Sequence, residues 1–274
     1  METSSLYFEL PKELIAQRPA ANRSSARLMV VRRFNNRVEH CLVEDLPTLL
    51  KPGSVVVVND TRVIPARLSG ELINGAKVPF LLMEQMKDGK SWTAIAPNMT
   101  RLKKRAGEVV YFPGGIAAHL LTVPNPKTIC LRFQTPIDSQ YLELYGGLPL
   151  PPYIDRPPDR SDTDQYQTVY ATHPGSAAAP TAGLHLTKDL LKELKQSDIT
   201  VVPITLHIGM GTFTPIRTAY VEDHVIHSER FKISESSATT IEEARRDGRP
   251  IVAVGTTVVR TLESAWNGSR ITRK

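Results

Sequence analysis

Ser54-Val55-Val56-Val57-Val58-Asn59-Asp60-Thr61-Arg62 decides how the rest of the chain is read. Four consecutive valines suit a strand buried on both faces, as in α/β proteins, and the polar run after them marks its carboxyl end. Upstream, Pro11–Gln17 reads as a short helix with Pro in its first turn, and Arg27–Arg33 as a strand. Val43–Leu50 reads as a helix stopped by Lys51-Pro52-Gly53. After Arg62 the character changes. Short apolar runs recur at Ala66–Ile73, Val78–Met86, Trp92–Ala96, Glu108–Phe112, Ile116–Val123 and Thr128–Phe133, punctuated by Asn74-Gly75, Asp88-Gly89 and Gly114-Gly115. Six short strands at this spacing predict a small sandwich or barrel.

Beyond the Pro-rich boundary Gly146–Pro158, helical and strand patterns alternate again. Lys188–Gln196 follows Thr187, a good N-cap; Ile199–Leu206 is a strand. A helix begins within Ser234–Thr240 and runs to Asp247, Ile251–Val254 is the next strand, and a helix follows to about Trp266. The expected fold class is α/β: a discontinuous α/β domain, residues 1–61 and 150–274, with a small β-barrel-like domain, residues 62–149, inserted into it.

The 274 residues are 41% hydrophobic and 23% charged, enough to bury a core without disulfides or a structural metal. No apolar run reaches the length of a membrane span, and Met1–Leu10 lacks the basic and apolar regions of a secretory signal. Cys41 and Cys130 are far apart and form no CxxC. A reduced, cytoplasmic protein with no membrane partner is expected. The net charge of +6 is uneven: residues 62–149 carry eleven Lys/Arg against six Asp/Glu, whereas residues 150–274 carry fifteen of each. Arg101, Lys103, Lys104 and Arg105 concentrate the excess. Such a run is often just a solvated loop, but a wholly basic segment points toward a phosphate-rich partner.

Several clusters carry candidate chemistry. Asp60 and Arg62 lie where open α/β sheets bind ligands; Asp60 suits ribose hydroxyls or an amine, Arg62 a phosphate or carboxylate, and an Asx turn with an Asp–Arg pair explains them equally well. Gly175–His185 is almost devoid of large side chains, which suits close approach of backbone to a ligand or simply tight packing. Thr181 and His185 are its candidate contacts. His207 precedes Gly209 and Gly211 in a loop that resembles half of a dinucleotide fingerprint, a weak signal without a third Gly. His224, His227 and Glu229 would line a zinc site if they shared a helical face; proton transfer by His227 beside Glu229 needs no metal. Thr256 and Thr257, between a strand and a helix, form an anion-binding arrangement or a plain N-cap, with Arg260 one turn in. There is no Walker A lysine.

Together these stretches resemble one family, the S-adenosylmethionine:tRNA ribosyltransferase-isomerases of queuosine biosynthesis. The likeness rests on Val57–Leu68, Leu150–Ile154, Tyr166–Ala171, Gly175–Thr187, Thr205–Phe213, His227-Ser228-Glu229 and Val254–Ser264, with Leu10–Gln17 also fitting. Ala177 and Leu186 stand where Val and Phe are commoner. The family pattern continues past this point with a Pro-Gly strand segment, an Asn-Phe-His-Leu-Pro motif and a closing helix; without them an inactive, C-terminally truncated tRNA-binding remnant is the alternative expectation. A metal hydrolase on His224, His227 and Glu229 ranks behind both.

The resemblance implies that S-adenosylmethionine donates its ribosyl group to 7-aminomethyl-7-deazaguanine at the tRNA wobble position. The product is epoxyqueuosine, with adenine and methionine released. It implies no metal and no cofactor beyond that co-substrate, and leaves monomer or dimer open. Such a reaction needs a base for the ribose C5′ proton, a donor to the departing adenine, an anion site for the methionine carboxylate and a basic surface for tRNA. His207, His227, Glu229 and Asp60 are the catalytic candidates; Arg62, Arg67, Thr181, His185, Gly209, Gly211, Thr256, Thr257 and Arg260 the substrate-binding ones; Arg101, Lys103, Lys104 and Arg105 the tRNA-binding ones.

Overall fold

All five residues of the strand Val55–Asn59 are buried in a computed structural model that describes residues 1–125, 127–213 and 216–272. It is central in a four-stranded sheet. Thr200–Leu206 runs parallel to it on one side and Ile251–Ala253 parallel on the other; Phe231–Lys232 adds an antiparallel edge beside Thr200–Leu206. Because strand side chains alternate, its four valines serve two cores. Val55 and Val57 pack with Val202, Ile204, Ala238, Ile241, Ala244 and Val258, beneath the helices Glu235–Arg246 and Thr256–Ala265. Val56 and Val58 pack with Val43, Leu186, Leu190, Leu194 and Ile199, beneath the helix Lys188–Gln196. Helices on both faces of a mostly parallel sheet are the expected α/β layering.

The helix starts follow their caps. The Thr187 hydroxyl accepts from the Leu190 backbone N–H at 3.1 Å, and that of Ser234 from Ser237 at 3.1 Å. The third helix has Gly255 at its N-cap, at φ +91°, where a side chain on L-stereochemistry is strained.

Two expected helices are shorter than their patterns. Pro11–Gln17 contains only a 3₁₀ turn at Lys12–Leu14, since so brief an exposed segment does not repay helix nucleation. Val43–Leu50 splits into a 3₁₀ turn, Val43–Asp45, and a single helical turn, Leu46–Leu49. Pro47 lacks the N–H that a continuous ladder from Val43 would need. Arg27–Arg32 is a strand, paired antiparallel with Arg37–Leu42, a partner the sequence reading passed over.

By internal contacts the chain divides into one unit of Met1–Arg62, Pro152–Arg156 and Thr163–Lys274, which holds this sheet, and another of Val63–Pro151 and Pro157–Asp162. The second unit is a closed six-stranded antiparallel barrel, with strands Arg67–Leu72, Lys77–Gln85, Ser91–Ile95, Val109–Phe112, Ile116–Thr122 and Ile129–Phe133. Each matches one of the six apolar runs within two residues at either end. Its interior is filled by Leu68, Phe80, Leu82, Leu120, Ile129, Leu131 and Phe133, with Phe112 between Phe80 and Phe133 in tilted contacts at ring separations of 5.7 and 5.3 Å. Gly70 faces this aromatic cluster; a Cβ there would lie 2.6–2.9 Å from Val110, Phe80 and Phe112. Among the described residues no helix is long and apolar enough to cross a membrane.

Candidate active site

The carboxyl ends of the three parallel strands deliver Asn59-Asp60-Thr61, His207 and Gly255 to one edge of the sheet, the edge at which open α/β sheets bind ligands. Asn59 is the frame. Its side-chain oxygen accepts from the backbone N–H of Leu206 (3.0 Å) and Thr61 (3.2 Å), and its amide donates to Leu206 O (3.0 Å) and the Thr257 hydroxyl (3.3 Å). The Asx turn expected at Asp60 is thus made by Asn59, and Thr257 is tied to the frame.

Asp60 is buried at 7% exposure and doubly engaged. The Thr205 hydroxyl donates to one carboxylate oxygen at 2.6 Å, and His173 Nδ1 lies 3.2 Å from the other. Arg62 is exposed at the end of the same segment. His173 and Thr205 were not singled out in the sequence. Thr205 opens one of the quoted stretches, but its partners could not be read there, because these contacts join residues 32 to 145 positions apart.

His207 faces Thr61, whose hydroxyl lies 2.8 Å from Nδ1. Its backbone N–H donates to Arg230 O at 3.0 Å. Burial, reinforced by the nearby His173 and Arg230 and opposed by Asp60, pushes the imidazole below its ordinary pKa of 6.5. The ring lies against Gly175, where a Cβ would come within 3.1 Å of it.

A second constellation surrounds Glu229, whose side chain is 3% exposed. One carboxylate oxygen accepts from the Gly209 backbone N–H at 2.8 Å and faces His227 Nε2 at 3.0 Å; the other accepts from Arg260 Nη1 at 2.6 Å. Arg260 Nη2 also donates to the carbonyl of His227. Both terminal nitrogens of Arg260 are therefore engaged by the protein, and the residue holds Glu229 in place. Gly211 makes room for His227, because a Cβ there would fall 2.0 Å from the ring. A cavity of about 200 Å³ opens beside the pair, lined by Leu206, Ser228, Glu229, Phe231, Arg260, Thr261 and Ser264.

The zinc-site premise fails on geometry. Residues 224–230 have no helical structure, so His224 and His227 share no helical face. Among the described residues no group of three or more His, Cys, Asp or Glu is placed to hold a metal ion.

The small-residue run divides in two. Ala177, Ala178 and Ala179 are buried, and Ala178 packs with Leu206 and Ile208, so there the small side chains serve packing. Thr181–His185 is a 3₁₀ turn with Thr181 and His185 exposed, and Ala182 lies against Gly255. Gly183 is required by Tyr170, whose hydroxyl would lie 2.0 Å from a Cβ there. Burial raises the Tyr170 phenol well above its ordinary value and that of Tyr166 to about 12. Thr256 is exposed at the amino end of its helix.

Arg67 belongs to the barrel unit, exposed on its first strand. In the same unit Arg101, Lys103, Lys104 and Arg105 occupy the helix Met99–Lys103 and the turn after it. Arg101 and Lys104 are exposed, whereas Lys103 donates to Asn125 O at 2.8 Å and Arg105 pairs with Glu108 at 2.8 Å.

Comparison with known proteins agrees with this arrangement of motifs. The chain matches the family described as "Queuosine biosynthesis protein" over residues 3–274. It is 41% identical to the S-adenosylmethionine:tRNA ribosyltransferase-isomerase of Treponema denticola, covering 98% of this chain and 79% of that protein. It is 43% identical to the protein of the same name from Desulfitobacterium hafniense, covering 100% of this chain and 80% of that one. A crystal structure of an S-adenosylmethionine tRNA ribosyltransferase from Thermotoga maritima aligns at 29% identity and a TM-score of 0.45, over 97% of this chain and 74% of that one. This chain belongs to the queuosine biosynthesis family.

Proposed function

We propose that this chain is an S-adenosylmethionine:tRNA ribosyltransferase-isomerase. It moves and isomerises the ribosyl group of S-adenosylmethionine onto 7-aminomethyl-7-deazaguanine at the tRNA wobble position, in the cytoplasm, giving epoxyqueuosine and releasing adenine and methionine. No cofactor beyond the co-substrate enters the proposal. The observation that carries it, within a chain of this family, is the gathering of two histidines with separate hydrogen-bond partners around the ligand-binding edge of the sheet: His207 with Thr61, and His227 with Glu229.

The residues divide the work as follows. The sulfonium acidifies the ribose C5′ proton, and a neutral imidazole is a base matched to that task near pH 7. Glu229, held by Arg260 and the Gly209 N–H, orients the His227 ring and stabilises the imidazolium that forms. Asp60, fixed by Thr205, offers a carboxylate to the acceptor's amine or a ribose hydroxyl, and Arg62 an exposed guanidinium to the methionine carboxylate. Thr181, His185 and Thr256 are exposed and suited to contact the nucleoside. Arg101 and Lys104 supply positive charge for tRNA phosphates.

The test is turnover. Purified chain, S-adenosylmethionine and tRNA carrying the precursor base are incubated, and adenine is followed by chromatography. Adenine released only with that tRNA is the expected result. Folded protein that binds the tRNA in a salt-dependent way yet releases no adenine would favour the binding remnant.

A further inference from the structure

The two histidines are held in the same Nε2–H tautomer by partners at opposite ring nitrogens, so that, among the described residues, His227 is left with a free lone pair and His207 with a free N–H. Glu229 is ion-paired to Arg260, so its carboxylate only accepts hydrogen bonds; His227 Nε2, 3.0 Å away, must carry the ring hydrogen, and the lone pair of the neutral ring sits on Nδ1.

At His207 the partner meets the other nitrogen, Nδ1. Thr61 is fully buried, and among the described residues its hydroxyl has one partner, His207 Nδ1 at 2.8 Å. If Nδ1 carried the hydrogen, the threonine would accept it and its own hydroxyl hydrogen would be buried without an acceptor. If the threonine donates, every hydrogen is placed and only a spare lone pair is left idle, which is the cheaper deficit. The ring hydrogen of neutral His207 then sits on Nε2. The ring is fixed in this pose by Gly175, whose φ is +142° and where a Cβ would lie 3.1 Å from Nδ1 and Cε1 and 3.3 Å from Nε2. The groups facing it are Asp60, His173 and Arg230, and burial keeps it uncharged.

We infer that His207 is a neutral hydrogen-bond donor through Nε2–H, that Thr61 is the positioning residue that sets its tautomer, and that proton removal belongs to His227 through Nδ1. Resting on the ribosyl-transfer reading, this assigns His207 to the nitrogen of the departing nucleobase. That nitrogen takes the electron pair of the breaking C–N bond, and an aligned N–H stabilises the charge without full transfer. A neutral imidazole suits this use, since it polarises without first gathering a proton.

Ring-nitrogen NMR of protein labelled with ¹⁵N-histidine, recorded at pH 8, reads the His207 tautomer directly. Nε2–H at His207 is expected in the wild type and in Thr61→Ser, and in Thr61→Val a shifted Nδ1 resonance as the bond that holds the ring is lost. Turnover should follow: Thr61→Ser near wild type, Thr61→Val down about 10-fold or more in kcat with KM for S-adenosylmethionine little changed. His207→Gln, which keeps an N–H donor but has no basic nitrogen, should retain far more activity than His207→Ala, for which a loss of about 100-fold is expected. Nδ1–H at His207 in the wild type overturns the inference whether or not adenine is released, and so does a His207→Gln protein as inactive as His207→Ala. Nε2–H at His207 with no adenine release under any condition leaves the tautomer standing and overturns the ribosyl-transfer reading instead.

Discussion

Arg260 Nη1 lies 2.6 Å from Glu229 Oε2, an ion pair that gives a nearly fully buried carboxylate its cationic partner beside His227. Removing the cation alone strands the anion. Arg260→Met is therefore expected to destabilise the fold by about 2–4 kcal/mol, somewhat less than for a wholly buried pair because Arg260 keeps some solvent contact. Arg260→Met combined with Glu229→Gln should recover part of that loss. Urea unfolding of the two single variants and the double variant measures the coupling; additive losses would show that the pair contributes nothing specific.

Gly211→Ala separates geometry from stability. A methyl group there would sit 2.0 Å from the His227 ring, so the ring must rotate away from Glu229. The expected outcome is a fall in kcat of about 100-fold, with thermal stability lowered by about 1–3 kcal/mol. Steady-state kinetics and calorimetry on the same preparation check both. Unchanged kcat would take His227 out of the chemistry.

Stability should depend on pH through His207. Its folded pKa lies below the ordinary 6.5, so the unfolded chain binds the extra proton first. The contribution is fully present above about pH 6.5 and is lost as pH falls toward the folded value. Unfolding free energies at pH 7.5 and 5.5 should differ less in His207→Gln than in the wild type. His173, Asp60 and Arg230 face the same ring, so the subtraction of the two slopes, and not the wild-type slope alone, isolates His207.

Gly70→Ala tests the barrel interior. Its new methyl would meet three side chains at 2.6–2.9 Å, two of them the mutually tilted rings of Phe80 and Phe112. Overpacking of this kind costs about 1–3 kcal/mol. A lowered melting temperature is expected, and an unchanged one would mean that the aromatic cluster relaxes freely.

The basic turn makes an ionic prediction. Arg101 and Lys104 are exposed, while Lys103 and Arg105 already serve Asn125 and Glu108. Arg101→Ala and Lys104→Ala should each weaken tRNA binding and flatten the plot of log affinity against log salt by about 0.7–0.9. The same change at Lys103 or Arg105 should flatten it less. Equal slopes for all four would mean that the internal bonds open on binding.

The layering was legible because its signals are local. Four valines in succession, six apolar runs with Asn-Gly and Asp-Gly turns, and a Thr or Ser before each of two helices are visible in short windows. Asp60, His207, His227 and Glu229 were singled out because they lie in short motifs next to strands. What was not legible is which side chains meet. Thr61 was in the quoted motif yet not singled out, since nothing near it in sequence announces a histidine 146 positions away. The bond of Arg260 to Glu229 was not legible either, because the two are 31 residues apart. Pro47 was visible, and its missing N–H is what divides the segment Val43–Leu50 into two short turns.

Asn59 also bears on how long the folded protein keeps its chemical identity. Asparagine ages to aspartate when the backbone nitrogen of the next residue attacks the side-chain amide. A carboxylate here would lose the two donations to Leu206 O and Thr257 that join the central strand to its neighbour and to the helix. The attacking atom would be Asp60 N, and its N–H is bound to Ile204 O at 2.9 Å within the extension of the parallel ladder. The residue least replaceable in the frame is thus also shielded from spontaneous deamidation, by the same strand pairing that it helps to hold.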